Sequence, residues 1–162
     1  MTGQARHLDR LKKGIPMYDP LEDIHQYGKK LTISQVVKFF EKKELPITRA
    51  MIQNYIRLGL LPPPTDKRFY THKHLAALVL INYLKAVFEM ADIKAALSPM
   101  MDAEGLPLAE YALIIQQLAV LSEAWNRDMS PRFFEEGKTE ALSRLLIMTH
   151  AVDLRAWVLA LQ

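Results

Sequence analysis

The sequence predicts an all-α protein: two short helices joined by a tight turn, a small extended segment, two supporting helices and an apolar C-terminal helical region. Three observations carry that expectation. Apolar residues recur at helical spacing over 31–43, 48–58, 72–88, 90–97, 108–127 and 139–161. Cap and stop residues stand at the ends of these runs, with Thr32 or Ser34, Thr48 and Thr71 before helices and Gly59 after one. The run Pro62-Pro63-Pro64 cannot continue a helix and imposes a stiff, extended path between the second and third helices. Four regions follow: an irregular leader over 1–30, a compact helical domain over 31–97, a linker over 98–107 and a C-terminal helical region over 108–162.

The leader holds Gly3, Gly14, Pro16, Pro20 and Gly28 and sustains no period, beyond one short helix expected near Leu8 to Lys13. Arg6, Arg10, Lys12 and Lys13 could form a basic arm. The plainer alternative is a leader that packs over the domain through Met17, Tyr18, Leu21 and Ile24. In the first helix, Leu31 to Lys43, the residues Ile33, Val36, Val37, Phe39 and Phe40 make an apolar stripe, with Lys38, Lys42 and Lys43 on the solvent side.

The second helix organises the chain. Met51, Ile52, Tyr55 and Ile56 share its inner face, while the outer face carries Arg49, Ala50, Gln53, Asn54 and Arg57 without an acid. Such side chains donate to phosphates and to purine edges. Thr65 to Tyr70 reads as a turn followed by an aromatic, basic piece. A third helix, His72 to about Phe88, is apolar over so broad a stripe that it belongs at the centre of the core. Met90 to Leu97 follows with Ala91, Ile93, Ala96 and Leu97 turned inward. His72 and His74 lack third and fourth ligands nearby and read as surface or phosphate-adjacent histidines rather than a metal pair.

Charge is unevenly distributed. From His25 to His74 ten basic residues face three acids, a balance of +7, whereas the chain from Leu75 onward carries −4. A basic segment that coincides with an amide-bearing and arginine-bearing helix is the footprint expected of a phosphate-binding face; the bland alternative is a solvated basic surface. The chain has no cysteine, which excludes disulfides and thiolate metal sites. No apolar run reaches the ~18 to 20 residues of a membrane span and the N-terminus lacks an apolar signal core, so a cytoplasmic address is the default expectation.

The run Gln-Asn-Tyr-Ile-Arg-Leu-Gly-Leu-Leu-Pro over 53–62, followed by Arg68-Phe69-Tyr70, resembles the MerR-type winged helix-turn-helix. In that family the second helix ends in Tyr-x-x-x-Gly-Leu-Leu-x-Pro and the wing carries Arg-x-Tyr. Met51 to Tyr55, Gly59 to Pro64 and His74-Leu75 together resemble, more closely, a bacterial family of unknown function built on that module. The resemblance covers about 31–97 and implies a DNA-binding domain with a small wing. Lys67 and Arg68 would then lie beside the phosphate backbone, and Phe69 or Tyr70 would anchor the wing. The candidate DNA-binding set is Arg49, Gln53, Asn54, Arg57, Lys67, Arg68, Tyr70 and Lys73, in which the first four read or flank base edges and the lysines and Arg68 hold phosphates. The sequence departs from the family in carrying Asp66-Lys67-Arg68 where many such wings have Gly-Tyr-Arg.

Ser98 to Pro107, with its prolines and Gly105, reads as the internal linker. The two helices beyond it, about Leu108 to Arg127 and Thr139 to Leu161, are apolar on more than one face, and Ser130-Pro131 signals a short turn over Arg132 to Glu136. A chain of 162 residues has too little material to cover both, so they are expected to pair with a second copy. MerR-type regulators dimerise at the same place in the chain. Another use would be an apolar pocket for a small-molecule effector, walled by Tyr111, Trp125, Phe133, Phe134 and Trp157. There is no Gly-rich phosphate loop, activated nucleophile or metal-ligand spacing, and Glu135, Glu136 and Glu140 read as an exposed turn, so neither an enzyme nor a cofactor is expected. Two functions remain: a homodimeric, sequence-specific regulator of transcription bound to double-stranded DNA, or a winged-helix module turned protein-interaction adaptor.

Overall fold

The computed structural model describes residues 19–129, 132 and 139–161. The basic arm, the short helix near Leu8, the packing of Met17 and Tyr18, Phe133, Phe134 and the acidic turn at Glu135 and Glu136 lie outside these residues. Among the described residues six α-helices follow one another: α1 Ile33–Lys42, α2 Arg49–Arg57, α3 His72–Leu84, α4 Met90–Leu97, α5 Leu108–Ala124 and α6 Glu140–Ala160. Strand pairing among them is limited to isolated bridges, and none of the described helices is long and apolar enough to cross a membrane. One compact unit is Asp19–Leu113; a second contains Ile114–Gln162.

In the first unit, α1 starts at a reciprocal cap. Gln35 donates its backbone N–H to the Thr32 hydroxyl at 3.4 Å and its side-chain oxygen accepts the Thr32 N–H at 2.8 Å. Val36, Phe39 and Phe40 are buried along its inner face. The helix ends with Glu44 in the left-handed region, at φ +57°. The Leu45 N–H reaches back to the Phe40 carbonyl and the Glu44 N–H to that of Glu41, each at 3.0 Å, closing a Schellman motif on a residue other than glycine.

The Thr48 hydroxyl caps α2 by accepting the Met51 N–H at 3.2 Å, and Ile52 and Tyr55 face inward. Gly59 stops the helix at φ +67°, as its position in the sequence predicts, with the Leu60 N–H on the Tyr55 carbonyl at 2.9 Å. Lys94 of α4 adds a cation there, its Nζ 3.1 Å from the Leu58 carbonyl, where the helix dipole favours positive charge.

Helix α3 is buried at every position from His74 to Ile81. Such a helix has no solvent face, and the rest of the unit is wrapped around it. It ends at Leu84 rather than near Phe88, because the Val87 and Phe88 amides both turn back to the Leu84 carbonyl. In α4 only Ile93 and Leu97 are buried, whereas Ala91 and Ala96 are exposed.

Over its described part the leader packs on the domain through Leu21 and Ile24, the plainer of the two alternatives, and one expected boundary is corrected. The segment 19–30 is part of the fold: Leu21 and Ile24 are buried, Asp23 pairs with Lys43 at 2.6 Å, and the Tyr111 hydroxyl donates to Asp19 at 2.6 Å. Burial, reinforced by Asp19, holds the Tyr111 phenol far above its usual range. By contrast, 98–107 does not act as the expected linker. After a single 3₁₀ turn over Ser98–Met100, Asp102 and Gly105 pair with each other, Leu106 is fully buried, and the Leu106 N–H donates to the Lys73 carbonyl at 3.1 Å. A methyl group at Gly105 would stand 2.4 Å from that same carbonyl oxygen, so only glycine permits the approach.

In the second unit the Thr139 hydroxyl caps α6 by accepting the Leu142 N–H at 3.2 Å, and the Trp125 ring stacks on His150 with centroids 5.6 Å apart. Many of its large apolar side chains lie open, among them Leu121 at 63%, Leu145 at 61%, Val152 at 65% and Trp157 at 68% exposure. Trp157 therefore walls no closed pocket, and Tyr111 is committed to Asp19.

Candidate nucleic-acid interface

The site is assembled from α1, α2 and the loop after the prolines. Leu31 and Tyr70 exchange both backbone hydrogen bonds, at 2.8 and 2.7 Å, tying the approach to α1 to the approach to α3. Between the prolines and Tyr70 the chain reverses in a tight hairpin. Thr65 and Phe69 exchange N–H and C=O bonds at 2.7 and 2.8 Å, and the Arg68 N–H donates to the Thr65 carbonyl at 3.1 Å. The two residues between, Asp66 and Lys67, have φ of +53° and +58°, the signs of a type I′ turn. The turn holds Lys67 and Arg68 exposed at its tip. The Arg68 guanidinium lies 5.2 Å from the Phe69 ring centroid, while Lys30 reaches Asp66 at 3.4 Å from below.

An open cleft of about 360 Å³ separates this hairpin from the first turns of α1 and α2. Arg49 and Gln53 line one wall and Lys67 and Arg68 the other, and no carboxylate is among the lining residues. Arg49 is turned back toward α1, with its Nη2 donating to the Ser34 hydroxyl at 2.8 Å. That contact places its guanidinium beside the first turn of α1 rather than along the outward face of α2. Ser34 is thus a positioning residue that the sequence marks only as a possible cap.

Further along α2, Asn54 and Arg57 form a pair, Arg57 Nη2 donating to Asn54 Oδ1 at 2.6 Å. Gln53 is exposed on the same helix.

Two members of the expected set have partners of their own within the fold. Tyr70 is only 4% exposed and packs edge-on against His74, so it anchors the hairpin, and it also contributes to the lining of the cleft. Burial raises its phenol, against the opposing charge of Arg49. Lys73 is bonded to Asp102 at 2.5 Å. That hydrogen bond raises the ammonium and lowers the carboxyl, and the lysine, still partly exposed, ties α3 to the 102–106 loop.

His74, expected at the surface, is fully buried. Its Nδ1 accepts the Thr71 N–H at 3.0 Å, filling the place of the Glu or Gln of a capping box, and its Nε2–H donates to the Pro63 carbonyl at 3.0 Å. Thr-x-x-His at a helix start is the sequence signal that marks it. His72 is half-buried and bonds the Gly28 carbonyl at 2.9 Å. Among the described residues no group of three or more His, Asp or Glu could hold a metal ion.

These features define a helical domain that carries a basic cleft between a helix pair and a hairpin. The chain belongs to the family described as Domain of unknown function (DUF1836), which matches residues 17–111. That span takes in the segment 19–30 and the 102–106 loop, in keeping with their place in the first unit. No curated protein and no solved structure matches the chain.

Proposed function

We propose that the protein is a MerR-like, winged helix-turn-helix regulator of transcription that binds double-stranded DNA in sequence-specific fashion as a homodimer. In this reading α2 enters the major groove, Gln53, Asn54 and Arg57 face base edges, and the Thr65–Phe69 hairpin is the wing. The observation that carries it is the cleft in which Arg49 and Gln53 face Lys67 and Arg68 without an intervening acid. Arg49, held by Ser34, and the two hairpin cations suit phosphates, whereas the amide and guanidinium of the Asn54–Arg57 pair suit bases. The apolar faces of the second unit supply the contact with a second copy.

The test is selection of genomic DNA fragments by the purified protein at ~0.15 M salt, where nonspecific duplex binding is already weak. Enrichment of an inverted repeat with half-sites about one helical turn apart is expected. Failure to enrich any sequence, together with co-purification of a stoichiometric protein on the exposed face of α6, would favour the adaptor reading instead.

A further inference from the structure

Resting on the DNA-binding reading, we propose that Arg57 fixes the side-chain amide of Asn54 so that this position reads guanine rather than adenine. Asparagine free to rotate offers one donor and one acceptor together, the pattern that matches N6 and N7 of adenine. Asn54 is not free. Arg57 carries only donors, so the atom 2.6 Å from its Nη2 must be the acceptor Oδ1; turning the amide over would set N–H against N–H. The bond spans one helical turn, i to i+3, within a helix capped at Thr48 and stopped at Gly59, so both Cα positions are fixed.

With one lone pair of Oδ1 taken and the Arg57 cation set against that oxygen, Asn54 offers chiefly the two hydrogens of Nδ2, which make no hydrogen bond among the described residues. The unoccupied N–H groups of Arg57 are donors too. The pair is therefore a donor-rich, positively charged surface, which an approaching donor meets unfavourably. In the major groove, guanine presents two acceptors, N7 and O6, whereas adenine sets its N6–H₂ donor beside N7 and would oppose one of these hydrogens. Gln53, one residue earlier, makes no such bond and keeps its choice of orientation, so the two neighbouring amides have different selectivity. Arg57 acts here as a positioning residue for Asn54.

The experiment is selection from random duplexes with the full-length protein and with Asn54→Ala, Arg57→Ala and Arg57→Lys, followed by competition binding. The position whose preference Asn54→Ala flattens is the one Asn54 reads, and guanine is expected there in the parent. Replacing that guanine by 7-deazaguanine removes one acceptor and should cost on the order of tenfold in affinity. Arg57→Ala should release the amide and move the preference toward adenine, while Arg57→Lys, still a pure donor, should keep guanine. A loss of charge alone would weaken every sequence equally and shift no preference. Adenine at that position in the parent, or a guanine preference unchanged in Arg57→Ala, would overturn the assignment while leaving the DNA-binding reading intact. Absence of any duplex binding by the folded parent would overturn both.

Discussion

His74 and Pro63 are joined by a 3.0 Å hydrogen bond from the buried imidazole to the proline carbonyl, which fastens the stiff proline run to the first turn of α3. Because the other ring nitrogen accepts the Thr71 N–H, the ring is neutral and held as one tautomer. His74→Ala deletes both bonds and leaves a cavity, and should cost about 2–4 kcal/mol, read as a fall in the urea midpoint. Burial also lowers the imidazole pKa below its ordinary 6.5. The unfolded chain therefore takes up a proton first as pH falls. The contribution of His74 to stability is full above 6.5 and declines as pH drops from 6.5 through the depressed folded value. Urea midpoints of the parent and His74→Gln across pH 7.5 to 4.5 should converge toward the acid end. Parallel profiles would count against a neutral buried ring.

Gly105 offers a sharper test of the corrected boundary at 98–107. An alanine there would bring its methyl 2.4 Å from the Lys73 carbonyl oxygen, at a φ of +128° that favours glycine. Neither backbone can yield without undocking the loop from α3. Gly105→Ala should cost about 3 kcal/mol, whereas a flexible linker would tolerate it with a change below about 0.5 kcal/mol.

The helices could be read from the sequence because caps and apolar spacing are local: Thr32, Thr48, Thr71 and Gly59 each stand where the structure uses them. Contacts between distant segments could not. Nothing near Asp19 announces Tyr111, and nothing near Gly105 announces the Lys73 carbonyl. For that reason 19–30 and 98–107 read as a leader and a linker. At the candidate site, residue types indicated the basic face, but the partners that sort it lay elsewhere: Ser34 for Arg49, Asp102 for Lys73, and His74 behind Tyr70.

Glu44 shows the same limit at a single residue. It holds the left-handed end of α1 where glycine is the usual choice, and no glycine in the sequence marks that helix end. Glu44→Gly should relieve the left-handed penalty and raise stability by roughly 1 kcal/mol. No gain in thermal midpoint would mean that the α1 terminus relaxes out of this conformation.

Lys67 separates stability from function. As the second left-handed residue of a type I′ turn it stands where glycine is preferred, so Lys67→Gly should stabilise the fold by about 0.5–1 kcal/mol. The same change removes a cation from the wall of the cleft. Duplex affinity should then fall equally for all sequences, and the slope of log K against log salt should shrink by about 0.9. Arg49→Ala should behave alike in binding, since Ser34 directs it away from the bases. A change in base preference in either variant would reverse the division between phosphate and base contacts.

The exposed face of α6 can be tested without confusing core with interface. Leu145 and Trp157 are 61% and 68% exposed, so Leu145→Lys and Trp157→Glu bury no charge within one chain and leave helix propensity nearly unchanged. If these residues meet a second copy, the double variant should keep its helical circular dichroism and become a monomer by light scattering. The loss is expected to be about 2 kcal/mol or more of association energy for the tryptophan alone. Binding to an inverted repeat should weaken with it, because two half-sites no longer share one dimer, while binding to a single half-site should not change. Loss of helicity would instead show that the face is packed within the chain, and an unchanged monomeric parent would remove the dimer from the proposal.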